Sequence, residues 1–250
     1  MISNDDRSSY PLAHQPRRES PDAPAPYDAI ALDYTNLDVI FKQEVIGPSL
    51  RAVLGNLEGE AVIDWACGSG DFSTLPLVTR GHAEKVLGID RSPEMIEQAR
   101  AQSINFPQVT YMVGDAVTMD VAGIEPVNIA SSVFLLNYAE NRKQLRDMYS
   151  RVTACLKQDG RFVAVVPNPL AVDVETPQYG MCASTERDEN GLPFEGAVRM
   201  ATVFPMGKEP FSFTTHWFSV KAYLHEAQMA KLEIIRMQAR GHLFSQSISM

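Results

Sequence analysis

The stretch "AVIDWACGSGDFS", residues 61–73, decides the fold of this chain. Its apolar run ends in Asp64, and Gly68 and Gly70 follow two residues apart. Glycine adopts backbone conformations with positive φ and lets the backbone pass close to a ligand. The stretch therefore predicts a buried strand, a ligand-binding turn at its carboxyl end, and a helix over 72–80.

The same alternation of apolar runs and helical segments continues along the chain. Further strands are predicted at 85–90, 109–115, 127–136 and 161–167, and further helices at 92–102 and 141–156. Parallel sheets are covered by helices on both faces, so their strands are apolar throughout and rich in β-branched residues. We therefore expect an α/β fold: a Rossmann-like doubly wound sheet of about seven strands, mostly parallel with an antiparallel last strand, and helices on both faces. Pro76 lies inside the first predicted helix, which should consequently start late or kink.

Two segments depart from this alternation. Residues 1–26 contain five prolines and few large apolar side chains, so they bury too little surface to offset the entropy of ordering, and a disordered tail is predicted. Residues 27–250 then form a single domain, in which 169–196 are irregular. Within it, 170–210 is either a lid that lines a substrate pocket or a surface loop with an edge strand. The later elements are strands at 197–204, 211–218 and 233–239 and a helix at 220–232.

Composition limits the class of protein. The 250 residues carry a formal net charge of −9 and are 45% hydrophobic. Nucleic-acid backbones are bound through many Lys and Arg contacts, so this charge disfavours a nucleic-acid partner. No window reaches the roughly 20 apolar residues that span a bilayer, and the amino terminus lacks the apolar core of a signal peptide. Three cysteines without metal-site spacing indicate a reducing, cytoplasmic location, and no metal is expected.

The spacing of the glycines in the loop indicates which class of ligand the turn binds. Dinucleotide binding requires G-x-G-x-x-G, and here no third glycine follows Gly70 at that offset. A nucleoside triphosphate would need a G-K-[ST] sequence, which is missing as well. An acid at the strand end repels a pyrophosphate but suits a ligand that carries positive charge near a ribose. S-adenosylmethionine has this character, because it contains a sulfonium and an ammonium group and no phosphate.

The loop, written as acid-x-Gly/Ala-x-Gly-x-Gly, resembles the first motif of the class I S-adenosylmethionine-dependent methyltransferases. "VLGIDRSPEMIEQAR" (86–100) and "YMVGDA" (111–116) resemble the second and third motifs in the family's order, and the resemblance covers about residues 27–170. It implies that Asp90 accepts hydrogen bonds from both ribose hydroxyls and that Asp115 accepts one from the adenine amino group. The cofactor-binding residues that it implies are Tyr27, Tyr34, Asp64, Ala66, Gly68, Gly70, Asp90, Arg91, Met95, Asp115, Ala116 and Asn137.

Two further segments resemble the small-molecule branch of that family, the type that includes toxoflavin synthase and ubiquinone-pathway enzymes. In "YDAIALDY" (27–34), the resemblance implies that Tyr27 and Tyr34 close over the methionine end of the cofactor; as an alternative, they pack within a first helix. "FLLNYAENRKQL" (134–145) would place Asn137 beside the transferred methyl group. The implied reaction is SN2 transfer of a methyl group to an O or N atom of a small, aromatic or heterocyclic metabolite. A natural-product pathway and a homodimer are further expectations.

The candidate catalytic residues are Asn137, Tyr138 and His216, and the further candidates for substrate contact are Asn168 and Tyr179. His216 is the predicted general base if the acceptor needs one, and the alternative is a structural histidine. A second hypothesis is a catalytically silent S-adenosylmethionine-binding module that acts as a regulator or partner. It rests on Asn128, which stands where the family usually has an acid.

Overall fold

The computed structural model describes residues 46–174, 181–204, 209–240 and 243–249. Tyr27, Tyr34, Tyr179 and the predicted tail lie outside the described residues, so what was predicted for them stays a prediction. Among the residues described, no helix combines the length and the apolar composition needed to cross a membrane.

Strands and helices alternate through the first two thirds of the described chain. The strands are β1 (Ala61–Trp65), β2 (Lys85–Asp90), β3 (Val109–Val113), β4 (Val127–Val133), β5 (Leu156–Pro167), β6 (Met181–Thr185), β7 (Ala197–Val203), β8 (Phe211–Trp217), β9 (Glu233–Arg240) and β10 (Leu243–Ser249). The helices are α1 (Gly47–Leu54), α2 (Thr74–Thr79), α3 (Pro93–Gln102), α4 (Arg142–Ala154) and α5 (Val220–Met229), with a 3-10 helix at Leu136–Tyr138.

Five strands, β1 to β5, form the parallel part of the main sheet, which runs in the order β3-β2-β1-β4-β5-β10-β9. β10 lies antiparallel to both β5 and β9. The predicted α/β Rossmann-like class is confirmed, and the parallel part of its sheet contains five strands. The strand order reverses between β1 and β4, and open α/β sheets bind ligands at the carboxyl ends of the strands beside such a reversal.

Apolar side chains fill the space between the sheet and the helices on each face. On one face, Trp65, Tyr149 and Phe162 are buried with residues of α4 and α5. On the other, Leu54 and Val163 are buried with residues of α1 and α2. Burial on both faces explains why the strands are apolar along their whole length.

β6, β7 and β8 form a separate antiparallel sheet, which is docked onto the main sheet near the carboxyl end of β5. One side chain from each strand donates to a backbone carbonyl of 169–172: Trp217 Nε1 at 3.0 Å, Arg199 Nη2 at 3.1 Å and Thr185 Oγ1 at 2.6 Å. The expectation that 169–196 are irregular is therefore wrong for β6. A five-residue strand is too short to give a clear periodicity in sequence.

One helix and one strand start at residues that differ from the predicted ones. The first crossover helix starts at Thr74, two residues later than its predicted first residue, and its N-cap residue Ser73 donates its hydroxyl to Asp64 at 2.6 Å. This confirms the late start that Pro76 predicts. β5 starts at Leu156, five residues before the predicted start at 161, and the register of its pairing with β4 shifts in this stretch.

Two predicted strands end earlier than expected, and a further strand follows the one that was expected to be last. β4 ends at Val133 instead of 136, because Phe134 takes a φ of +62° and the chain turns into the 3-10 helix. β3 ends at Val113 instead of 115, and the Gly114 amide donates to the Asp90 carbonyl at 2.9 Å. The strand expected to be last is followed by β10, which lies between it and β5.

A buried carboxylate joins α4 to α5. Glu226 is fully buried, and its two oxygens lie 2.6 Å from Arg142 and 2.7 Å from Arg146. Burial raises the pKa of Glu226, but the hydrogen bonds and charges of the two arginines outweigh it and hold the pKa below its ordinary value. Because α5 directly follows β8, this ion pair network anchors the second sheet to the main domain.

Candidate cofactor and acceptor site

The glycine loop between β1 and α2 has a left-handed backbone at alternate positions. Ala66, Gly68 and Gly70 have φ values of +56°, +55° and +77°. A Cβ at Gly68 would meet no atom within 4 Å in the described structure, whereas a Cβ at Gly70 would lie 2.4 Å from Tyr111 Oη. Gly68 thus borders open space at the sheet edge, and Gly70 allows close packing under the loop. Sequence analysis did not identify Tyr111, whose ring also excludes a Cβ at Gly88.

Asp64, at the end of β1, is fully buried and already paired. Its carboxylate accepts hydrogen bonds from Ser73 at 2.6 Å, Thr74 at 2.7 Å and Ser131 at 3.0 Å. Burial raises the pKa of Asp64 to about 6, against the lowering effect of these hydroxyls. In this structure the carboxylate ties β1 to α2 and β4, so the shape of the loop depends on it. Its predicted contact with the cofactor stays a prediction.

Asp90, at the end of β2, faces the glycine loop. Its two carboxylate oxygens accept from the backbone amides of Gly68 and Ser92, both at 2.9 Å. Burial raises the pKa of Asp90, and the two amides oppose that effect. A carboxylate has about four lone-pair sites, so two hydrogen bonds leave capacity for the hydroxyls of a ribose.

The remaining predicted cofactor residues lie on the segments that follow β2 and β3. The Asp115 carboxylate is half-buried and accepts from the Val117 amide at 2.6 Å. Ala116 and Met95 are buried, and Arg91 is exposed. The structure therefore brings the ends of β1, β2 and β3 together around Asp90, which hydrogen-bonds the loop of β1 and, through its carbonyl, Gly114.

A second group of predicted residues lies beyond β4. Asn137 is 2% exposed, and its Oδ1 has no hydrogen-bond partner within the described part of the chain. Tyr138 beside it is half-buried, and burial raises its pKa far above the ordinary value. Asn168, at the end of β5, is buried, and its Oδ1 accepts from the Leu170 amide at 3.0 Å.

The second sheet brings His216 to the same region. β8 packs against the 3-10 helix that carries Asn137 and Tyr138. The Nδ1 atom of His216 is buried and makes no hydrogen bond among the residues described. Burial lowers the pKa of His216, and the charges of Glu140 and Glu186 act in the opposite direction.

Asn128, the departure from the family pattern, lies far from these residues in the sheet. It sits near the amino end of β4, where its side-chain amide donates to Glu60 at 2.8 Å. Ligands in this class of fold bind at the opposite, carboxyl edge. Asn128 therefore gives no support to a loss of catalysis.

The residues at the carboxyl edge fit S-adenosylmethionine. The backbone at Gly68 faces open space, and the Asp90 carboxylate and the half-buried Asp115 carboxylate suit the hydroxyl and amino donors of an adenosine. Within the described ranges, no group of three or more His, Cys, Asp or Glu side chains is arranged to bind a metal ion.

Comparison with known proteins agrees with this fit. Residues 62–160 match the family described as "Methyltransferase domain". The chain is 28% identical over 92 residues to 2-phytyl-1,4-naphtoquinone methyltransferase of Thermosynechococcus vestitus, covering 37% of this chain and 41% of that protein. Across three curated relatives that it matches, the chain spans 13 to 41% of their length.

Solved structures share the fold over most of the chain. The CcbJ methyltransferase of Streptomyces caelestis is 17% identical with a TM-score of 0.67, covering 88% of this chain and 96% of its own. S-adenosylmethionine-bound CalS10, an amino pentose methyltransferase of Micromonospora echinaspora, is 17% identical with a TM-score of 0.54 and the same coverage. Residues 62–160 thus match a methyltransferase domain, and the chain shares the fold of these methyltransferases.

Proposed function

We propose that the protein is an S-adenosylmethionine-dependent methyltransferase, and that it transfers a methyl group to an O or N atom of a small, aromatic or heterocyclic metabolite in natural-product biosynthesis. The observation that carries the proposal is the buried Asn137 Oδ1, which has no partner in the described structure and lies where the second sheet packs against the 3-10 helix. A quinone is the substrate named for the relative from Thermosynechococcus vestitus, which supports a small cyclic acceptor.

Three groups of residues would hold the cofactor. Gly68 offers its open backbone, Asp90 its carboxylate for the ribose hydroxyls, and Asp115 its carboxylate for the adenine amino group. When bound, S-adenosylmethionine supplies an activated methyl group together with its own leaving group. The protein's main contribution is then to align the acceptor, and such positioning contributes about 7–11 kcal/mol to lowering the barrier.

His216 and Tyr138 differ in whether the side chain can act as a base. Because burial lowers the pKa of His216, its imidazole is neutral at pH 7 and accepts a proton from the acceptor atom. Because burial raises the pKa of Tyr138, its phenol keeps its proton and serves only in hydrogen bonds. His216 is thus the general base of this proposal.

Some relatives act on larger substrates, namely 23S rRNA and ribosomal protein L11. A net charge of −9 disfavours binding to RNA, whose affinity for proteins depends on Lys and Arg contacts to phosphates. The second sheet beside the acceptor residues also favours an acceptor small enough to fit beneath it. A small molecule is therefore the better candidate.

The test is release of S-adenosylhomocysteine when the protein is incubated with S-adenosylmethionine and a panel of phenols and azaheterocycles. We expect turnover on at least one acceptor, and none with Asp90→Ala, which loses the proposed ribose contact. A thermal-shift measurement should show stabilisation by S-adenosylmethionine and none by NAD. Cofactor binding without turnover on any acceptor would favour the silent binding module.

A further inference from the structure

Two buried polar atoms without a hydrogen-bond partner in the described structure lie on elements that pack against each other. Asn137 Oδ1 belongs to the 3-10 helix after β4, and His216 Nδ1 belongs to β8 of the second sheet. Neither atom makes a hydrogen bond within the described ranges, although the two elements pack against each other. We call these two atoms the open polar pair.

A buried polar atom that lacks a hydrogen bond costs about 1–3 kcal/mol, so a ligand that supplies the missing bonds gains that energy. The amide oxygen of Asn137 only accepts hydrogen bonds. Neutral imidazole with its hydrogen on Nε2 presents Nδ1 as a second acceptor. The open polar pair therefore matches a ligand group that donates two hydrogen bonds.

The charges around His216 narrow the choice of that group. The charges of Glu140 and Glu186, both exposed, act on the imidazole, and the whole chain carries a net charge of −9. Such a field favours a cationic ligand over an anionic one. A hydroxyl donates one hydrogen bond, and a carboxylate would direct lone pairs at the Asn137 oxygen. An amino group donates two or more, and an aliphatic amino group is also cationic in neutral water.

We propose that the acceptor atom is the nitrogen of a primary or secondary amine, held by the open polar pair. This inference rests on the proposed function and names the acceptor that the function leaves as O or N. The substrate ammonium gives one proton to His216 Nδ1 and one hydrogen bond to Asn137 Oδ1. The nitrogen lone pair then forms the new N–C bond while the methyl–sulfur bond breaks and its electron pair stays on sulfur. The product leaves as the methylated ammonium, and His216 releases the proton that it accepted to solvent, which restores the neutral imidazole.

The test uses matched pairs of acceptors that differ in one atom: benzylamine with benzyl alcohol, and aniline with phenol. The protein is incubated with S-adenosylmethionine that carries a CD3 group, and the products are identified by mass spectrometry. We expect the label on nitrogen and at least 10-fold slower transfer to the matching hydroxyl. Binding of benzylamine to the protein loaded with S-adenosylhomocysteine is measured by calorimetry in parallel.

Variants of the open polar pair distinguish the hydrogen bond proposed for Asn137 from the proton transfer proposed for His216. Asn137→Ala should lower the rate on both amines by about 100-fold, as the loss of one positioned hydrogen-bond partner does in other enzymes, and Asn137→Asp should recover most of it. His216→Gln should slow benzylamine by about 100-fold but aniline by less than about 10-fold, because aniline is already neutral at pH 7. Affinity for S-adenosylhomocysteine should stay within about 3-fold in His216→Gln, since a 3-fold change is under 1 kcal/mol.

Ser132→Ala is the matched control. Ser132 Oγ is another buried polar atom without a partner in the described chain, but it lies inside β4, beside Trp65 of β1. Its removal should leave transfer to amines unchanged. Label on oxygen or carbon only, or no binding of either amine to the loaded protein, would overturn the inference and leave the proposed function standing. Cofactor binding without transfer to any acceptor would contradict the proposed function itself.

Discussion

The two halves of the sheet's carboxyl edge differ in how completely their polar atoms are paired. At the ends of β1 and β2, Asp64 accepts three hydroxyl donors and Asp90 accepts two backbone amides. Beyond β4, Asn137 Oδ1 and His216 Nδ1 make no hydrogen bond with described residues. We propose that the first half holds the cofactor and that the acceptor supplies the missing hydrogen bonds of the second half. Binding and selectivity should therefore respond to different mutations.

The largest effect is expected for Asp90→Ala. Hydrogen bonds to a charged group contribute about 1.5–3 kcal/mol each, so losing the proposed pair to the ribose should weaken S-adenosylhomocysteine binding by more than about 100-fold. Isothermal titration calorimetry measures this directly. Asp147→Ala removes a surface carboxylate on α4 that pairs with Lys143 and should leave the affinity unchanged. Equal affinity in wild type and Asp90→Ala would place the cofactor elsewhere.

The two loop glycines should separate folding from binding. Gly70→Ala combines a left-handed backbone with a Cβ 2.4 Å from Tyr111 Oη, and should lower the free energy of unfolding by about 2–4 kcal/mol. Gly68→Ala adds a Cβ that meets no described atom, so it should cost only about 1–2 kcal/mol of backbone strain but reduce cofactor affinity at least 10-fold. Urea unfolding measures the free energy of unfolding, and isothermal titration calorimetry measures the cofactor affinity.

Tyr111→Phe in the Gly70→Ala background is the control for this pair. It removes the Oη atom and leaves Cζ at 3.2 Å, so part of the lost stability should return. If Gly68→Ala binds the cofactor as tightly as the wild type does, the cofactor does not occupy the open space beside Gly68.

We expect Glu226 to stabilise the packing of α5 against α4, and with it the position of the second sheet. Replacing it with Gln leaves Arg142 and Arg146 without their shared carboxylate between α4 and α5. Both arginines are partly exposed, so the expected loss of about 2 kcal/mol is below the full cost of breaking a buried pair. Asp147→Asn breaks an exposed salt bridge to Lys143 and should cost less than about 0.5 kcal/mol. Equal losses in urea unfolding would show that burial of Glu226 contributes nothing.

The smallest effect is a pH dependence from Asp64 on the cofactor half. Its pKa is raised to about 6 in the folded protein from an ordinary value of 3.8. The folded state therefore binds more protons than the unfolded chain between these values, and the free energy of unfolding falls as pH rises through that window. We expect Asp64→Asn to flatten this slope by about 1–2 kcal/mol between pH 4 and 6.5, measured by urea unfolding. An unchanged slope would mean that Asp64 stays ionised throughout.

Local signals predicted much of the fold because they depend on neighbouring residues only. The helices predicted at 92–102 and 220–232 begin directly after Ser92 and Ser219, whose hydroxyls accept from the Met95 and Ala222 amides, both at 3.1 Å. Pro76 predicted the late start of α2. Local signals failed where a distant partner decides the outcome: nothing near Asp64 in the sequence indicates Ser131, which is 67 residues away and donates to it.

The sequence alone determined the alternation of strands and helices, the glycine loop and the acids at the ends of β1 and β2, since apolar periodicity and backbone preference act over a few residues. Only the tertiary structure decided that Asp64 is paired inside the protein, that the second sheet docks through Trp217, Arg199 and Thr185, and that the elements carrying Asn137 and His216 pack against each other. Those contacts join residues far apart in the chain. They form because the sheet order and the helix packing bring distant segments together, and no short pattern in the sequence records that order.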